Sequence, residues 1–155
     1  MPVNISEKDF RQVVRNTPLV SIDLIVRNDK GEVLLGFRKN EPAKNVWFVP
    51  GARVQKDEKL DDAFARITEW ELGVRAERKD ARFVGVFEHF YPTNFAQEPG
   101  YGTHYVVLAH ELKLSQIPKN PSPDQHEICR WFTVEELLAS DKVHRLTKAY
   151  FVRPS

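Results

Sequence analysis

The chain has 155 residues, enough for a single domain over positions 1–155 that removes roughly 68–70% of its unfolded surface from water. Its 23 basic and 22 acidic side chains leave a net charge of +1, so there is no broad positive field to hold nucleic acid. No run approaches the ~20 apolar residues that span a bilayer, and the single cysteine, Cys129, cannot close an internal disulfide; the expectation is a soluble, cytoplasmic protein with no membrane partner.

Ser6 followed by Asp9 has the spacing of a capping box, and Phe10, Val13 and Val14 give a short amphipathic helix that stops before Pro18. Residues 19–26 alternate as a strand, residues 28–31 (Asn-Asp-Lys-Gly) form a hairpin turn, and residues 33–37 return as the second strand. The polar, proline-interrupted stretch 39–45 is a loop before Trp47, Phe48 and Val49. Leu60, Phe64, Ile67, Thr68 and Glu71 recur at helical spacing, so residues 59–72 form a helix that Gly73 stops. Residues 83–91 and 103–114 are strands joined by a Gly/Pro-containing loop, and residues 129–132 are a short strand. Residues 134–139 and 143–151 read as closing helices, while Pro118, Pro121 and Pro123 punctuate one connection rather than a domain boundary. This order satisfies an α/β (α+β) fold with a mixed sheet flanked by helices.

Residues 51–74 carry the chemistry. From Ala52 onward they resemble the Nudix box: glycine, five spacers, Glu, seven spacers, then Arg-Glu-aliphatic-x-Glu-Glu-x-Gly-aliphatic. Glu58, Arg66, Glu71, Gly73 and Val74 fall in place. Ala52 replaces the first glycine, Ile67 and Trp70 replace two glutamates, and Thr68 stands where an aliphatic is usual. The resemblance implies a Nudix-type α/β/α sandwich. In an ordinary box, glutamates at the positions of 67, 70 and 71 share a helix face and hold more than one metal ion, which activates water against phosphorus. Here Glu71 stands alone on that face; with a backbone carbonyl such as that of Gly51 it can still anchor one Mg²⁺. Glu58 and Arg66, eight residues apart, can pair and hold the loop against the helix.

If the helix cannot prepare the nucleophile, another base must. His126 in Ser122-Pro123-Asp124-Gln125-His126-Glu127 is the candidate, with Gln125 offering a neutral oxygen to the metal. Thr17-Pro18-Leu19-Val20-Ser21, Trp47-Phe48-Val49-Pro50-Gly51, Thr103-His104-Tyr105-Val106-Val107-Leu108, Asp124-Gln125-His126 and Ala149-Tyr150-Phe151 are together similar to the GDP-mannose mannosyl hydrolases, a divergent Nudix branch whose box lacks the same glutamates. That resemblance implies cleavage between the sugar C1 and the β-phosphate oxygen, with inversion, by an enzyme using one Mg²⁺ and forming a homodimer. It implies metal binding by the Gly51 carbonyl, Glu71 and Gln125, a base at His126, and support of the leaving diphosphate by Arg38. It also places Asp23, Arg53, His89 and Tyr105 around the sugar and diphosphate, with Asp23 as the carboxylate that steadies developing positive charge at the anomeric carbon.

Each residue also has a plain alternative. Asp23 lies within an apolar strand pattern and can be a hydrogen-bonded structural acid, Arg38 and Arg53 can be solvated charges, and His89 and Tyr105 can be satisfied core residues. Trp47, Phe48 and Trp131 read as core, and His104 alternates away from Tyr105. Ala52 would strain its loop if its φ were positive, and the loop 92–102 departs from the family in length. Two other functions stay open: a nucleotide-sugar pyrophosphatase cutting between phosphorus atoms, and a noncatalytic nucleotide-sugar-binding domain. The sugar can also be glucose.

Overall fold

The computed structural model describes residues 5–115 and 126–152. Its spine is β1 (Leu19–Arg27), buried on both faces because Leu24 and Val26 face one side and Ile25 the other. β1 runs parallel to β6 (Thr103–Lys113), in unbroken register from Leu19 opposite Tyr105 to Arg27 opposite Lys113. The other edge of β1 is shared. β2 (Val33–Arg38) joins it at Arg27, and β4 (Gly51–Arg53) pairs with Ser21, Ile22 and Asp23. β3 (Trp47–Phe48) and β7 (His126–Phe132) both pair with β2, and β5 (Arg82–Tyr91) pairs antiparallel with β6. The main path of this mixed seven-stranded sheet runs β3-β2-β1-β6-β5.

α2 (Leu60–Leu72) covers one face, where Phe64 and Ile67 pack with Ile22, Leu24, Val26 and Leu34. The opposite core joins Ile25, Val33, Leu35, Phe48 and Phe132 to Leu137 of α3 (Val134–Ala139) and to Val143. Each large side chain so buried contributes roughly 1.5–3 kcal/mol. Helices therefore flank a mixed sheet, as the sequence predicts. Among the described residues no helix is long and apolar enough to cross a membrane.

Most boundaries agree with the sequence reading to within a residue or two. α1 (Glu7–Asn16) begins where the Ser6 hydroxyl accepts from the Asp9 amide at 3.1 Å. α2 ends at Gly73, whose φ of +73° suits a residue without a side chain. Other features differ, beginning with β7, which starts at His126 where the sequence reading has a strand only over residues 129–132. The helix expected over 143–151 divides into α4 (Arg145–Lys148) and a 3-10 turn (Ala149–Phe151), because Val143 bridges to Trp47 and His144 caps α4 by accepting from the Leu146 amide. The short β4 and a 3-10 turn at Arg78–Asp80 had no counterpart in the sequence reading. Finally, Ala52 sits in extended β4 opposite Ile22 and is not among the positive-φ residues, so alanine strains nothing there.

Candidate active site

Strand alternation assembles the site. Leu19 opposes Tyr105 and Asp23 opposes Ala109, so Asp23 and Tyr105 share a sheet face, and the pairing of His89 with Tyr105 adds His89. These three line a cleft of about 800 Å³, with Arg38 from the end of β2 and Gly51 and Arg53 from β4. Phe10 of α1, Phe95 of the loop 92–102 and Trp70 of α2 border it. His104 takes the other face and stacks on Phe90 at 4.4 Å, as alternation requires. Trp47 and Trp131 pack against the two cores and Phe48 is buried, as the sequence suggests.

Asp23 is buried, and burial pushes its carboxyl up to about 7, although the Tyr150 hydroxyl and the charge of Arg38 pull it back. The Tyr150 Oη donates to Asp23 Oδ2 at 2.5 Å and lies 3.3 Å from His89 Nε2. Burial brings the His89 imidazole down to about 4, helped by His144 and Arg145, so the ring is neutral at neutral pH. Asp23 and His89 are thus both buried and hydrogen-bonded, and both line the cleft.

The box itself divides by function. Arg66 donates to both oxygens of Glu58 (2.7 and 2.9 Å) and to the Arg53 carbonyl (3.0 Å), while Glu58 Oε1 also accepts from the Gln55 amide. This bidentate pair ties the loop 54–59 to α2, as expected of the two residues. Hydrogen bonding to Arg66, ahead of other effects, holds the Glu58 carboxyl below its ordinary value. On α2, the positions of the lost glutamates do not share one environment. Ile67 is fully buried in the core with Phe64 and Leu72, whereas Trp70 is 51% exposed and lines the cleft. Glu71 is buried, and burial raises it to about 8, against the opposing pull of Arg38 and the Gly51 backbone amide and with a further push from Asp23.

Gly51 has a steric reason to be glycine. A Cβ there would come 2.5 Å from Asp23 Oδ1 and 2.6 Å from the Ile22 carbonyl oxygen. Arg53 lies over the Phe10 ring at 4.4 Å, and burial lowers its guanidinium from the ordinary value. Arg38 donates from Nε to the Pro42 carbonyl at 3.2 Å. Backbone pairing sets His126 opposite Arg38 at the start of β7, which brings the expected base to the strand that carries the expected diphosphate ligand. Gln125 lies outside the described residues.

The described residues suit a hard divalent cation in donor type. Two carboxyl groups, Asp23 and Glu71, are buried beside Gly51, each raised first by burial and Glu71 also by Asp23, and a cation would offset that desolvation. They do not form a group of three His, Cys, Asp or Glu side chains, among the described residues, that could hold a metal unaided. The fit is to one ion completed by neutral oxygens.

Two contributors were missed in sequence. Tyr150 is in hydrogen-bond contact with Asp23 although 127 positions away, and Tyr91 lines the cleft beside Tyr105, their ring centroids 6.2 Å apart. Only the period-two spacing from His89 to Tyr91 signalled the second. Within the loop 92–102, buried Asn94 donates to the Glu98 and Tyr101 carbonyls and accepts from the Glu98 amide, while Phe95 packs on Phe10 at 4.9 Å.

Comparison with known proteins agrees with the fold. A family model described as NUDIX domain matches residues 17–153. The chain is 44% identical, over 110 residues, to the low-salt glycan biosynthesis protein Agl8 of Haloferax volcanii, covering 71% of this chain and 68% of that one. Among solved structures it is similar to a MutT NUDIX hydrolase from Burkholderia pseudomallei, with 27% identity, a TM-score of 0.70, and coverage of 87% and 96% of the two chains. The NUDIX domain of Shewanella oneidensis NrtR, solved with ADP ribose, shares the fold at 16% identity and a TM-score of 0.62, covering 95% and 97% of the two chains.

Proposed function

Because the chain belongs to the NUDIX family, we propose that it is a hydrolase that cleaves GDP-mannose, or GDP-glucose, to GDP and the free sugar. The observation that carries this reading is the burial of Ile67: on its box face α2 keeps only the carboxyl of Glu71, buried beside Gly51, while Gly51, Asp23, Arg38 and Arg53 line the cleft. That arrangement favours attack at carbon over attack at phosphorus. The relative named for glycan biosynthesis supports a sugar-bearing substrate.

In this reaction water attacks the sugar C1 from the face opposite the diphosphate. The C1–O bond to the β-phosphate breaks, its electron pair leaves with GDP, and the water proton passes to His126. Arg38 and Arg53 offset the charge that develops on the departing diphosphate. Asp23 offsets positive charge at C1, which substitution at an anomeric carbon generates. His89 and Tyr105 hydrogen-bond the sugar and the diphosphate. Gly51 through its carbonyl, Glu71 and Gln125 would hold one Mg²⁺, whose contribution when bound is to withdraw electrons from the leaving group.

Hydrolysis in ¹⁸O-water tests the reading. Label in the free sugar with unlabelled GDP is the expected result; label in phosphate, with GMP and sugar 1-phosphate as products, replaces it with a pyrophosphatase. Tight binding without turnover in Mg²⁺ would instead make the chain a nucleotide-sugar-binding domain.

The same reading takes the protein as a cytoplasmic homodimer. The exposed row Phe83, Val86 and Phe90 on edge strand β5 (53%, 58% and 55% exposed) supports the dimer. Sedimentation at one subunit mass would remove the dimer, and recovery in a secreted fraction would remove the cytoplasmic placement.

A further inference from the structure

We propose that Tyr150 is a positioning residue of the cleft: its phenol joins the Asp23 carboxyl group to the His89 ring and thereby fixes the orientation of the one and the tautomer of the other toward bound sugar nucleotide. The identity of that ligand rests on the proposed function; the hydrogen-bond chain stands without it.

Tyr150 reaches the site from the 3-10 turn Ala149–Phe151, and it does not itself line the cleft. Its Oη is 2.5 Å from Asp23 Oδ2 and 3.3 Å from His89 Nε2. A phenol has one proton to give, and Asp23 Oδ2, at 2.5 Å, is the nearer of its two partners. The proton therefore points at Asp23, and the oxygen lone pair is left for His89. That lone pair selects the tautomer with hydrogen on Nε2 and leaves His89 Nδ1 as an acceptor. The neutral imidazole and a phenol whose own proton is held more tightly than usual, by burial beside Asp23, agree with this direction.

The geometry also separates the hydroxyl from the ring. The Tyr150 ring packs edge-on against Phe87, with centroids 4.7 Å apart and planes at 87°, so packing holds it whether or not the hydroxyl is present. With Oδ2 of Asp23 tied to Tyr150, Oδ1 lies against Gly51, where no side chain intervenes. The carboxylate is thereby oriented by two neighbours that leave the cleft to substrate.

The test compares wild-type protein with Tyr150→Phe. Long-range ¹H–¹⁵N spectra, with His89 assigned by the signal lost in His89→Gln, are expected to show the Nε2–H tautomer in wild type and a gain of Nδ1–H in the variant. Kinetically, kcat for GDP-mannose should fall about 10- to 100-fold while KM changes less than ~3-fold. Asp23→Asn combined with Tyr150→Phe should be no slower than Asp23→Asn alone. An Nδ1–H ring in wild type, unchanged His89 signals in the variant, or losses that multiply in the double variant would overturn the assignment. If GDP-mannose is not turned over, the sugar-nucleotide reading fails while the spectra still decide the role of Tyr150. If Tyr150→Phe does not fold, the wild-type tautomer decides alone.

Discussion

Gly51 shows how one missing side chain shapes the cleft. It pairs with Asp23 across β1 and β4, and its hydrogen stands where any other residue would carry a Cβ against the β1 backbone. Gly51→Ala is expected to cost roughly 1–3 kcal/mol, because the Ile22 carbonyl cannot swing aside as a flexible side-chain tip could. Ala52→Gly, one residue on and extended, should cost only about 0.5–1 kcal/mol through backbone entropy. Urea denaturation of the two variants measures the difference; equal losses would show that β4 yields to the extra carbon. The neighbouring residues were legible in sequence to differing degrees. Arg38, Arg53 and Asp23 line the cleft as the family pattern suggests. Tyr150 carried no signal of its role, because its partners are 127 and 61 positions distant and only the folded sheet brings them near.

Among the elements, α2 explains most about the altered box. Its apolar periodicity and the Gly73 stop were readable because both are local. Spacing set position 67 on the apolar stripe with Leu60 and Phe64; what it did not reveal is that position 70 belongs to the rim of the cleft. Ile67→Glu should therefore destabilise the fold by several kcal/mol, since it would bury a carboxylate among Phe64, Leu72 and the β1 side chains. Trp70→Glu, at a half-exposed site, should stay within about 1 kcal/mol of wild type. Denaturant midpoints check both, and an Ile67→Glu variant as stable as wild type would mean that this helix face can open. β4 escaped the sequence reading for the opposite reason to α2: three residues have no period of their own, and pairing with distant β1 makes them a strand. The last helix divided because His144 and Val143 commit their polar and apolar groups to Leu146 and Trp47.

For the whole molecule, two buried carboxyls couple stability to pH. Asp23 and Glu71 hold their protons up to about 7 and about 8 in the folded state, against ordinary values near 4. Between those limits these two carboxyls bind more protons in the folded chain than in the unfolded one, so their contribution to the stability of metal-free protein falls as pH rises. The lowered His89, His110 and His144 act in the opposite direction below about pH 6.5. The slope is at most ~1.4 kcal/mol per pH unit for each carboxyl, and it levels off above about pH 8. Urea midpoints in chelator between about pH 7 and 8.5, above the range in which the histidines titrate, should fall, and Glu71→Gln should flatten the decline. A stability that instead climbs across this range would show that both acids ionise freely in the fold. The sequence of strands and helices along the chain, and the mixed sheet they build, were largely foreseeable from alternation and turn residues. The electrostatic coupling was not, because it depends on how deeply Glu71 sits beside Asp23 and Gly51.

The place of Ile67 in the core also bears on which changes the chain accepts. An acid there has to be housed among hydrocarbon before it can serve any chemistry. The rim at Trp70 carries no such burden, so substitutions there can reshape the cleft without disturbing what lies inside.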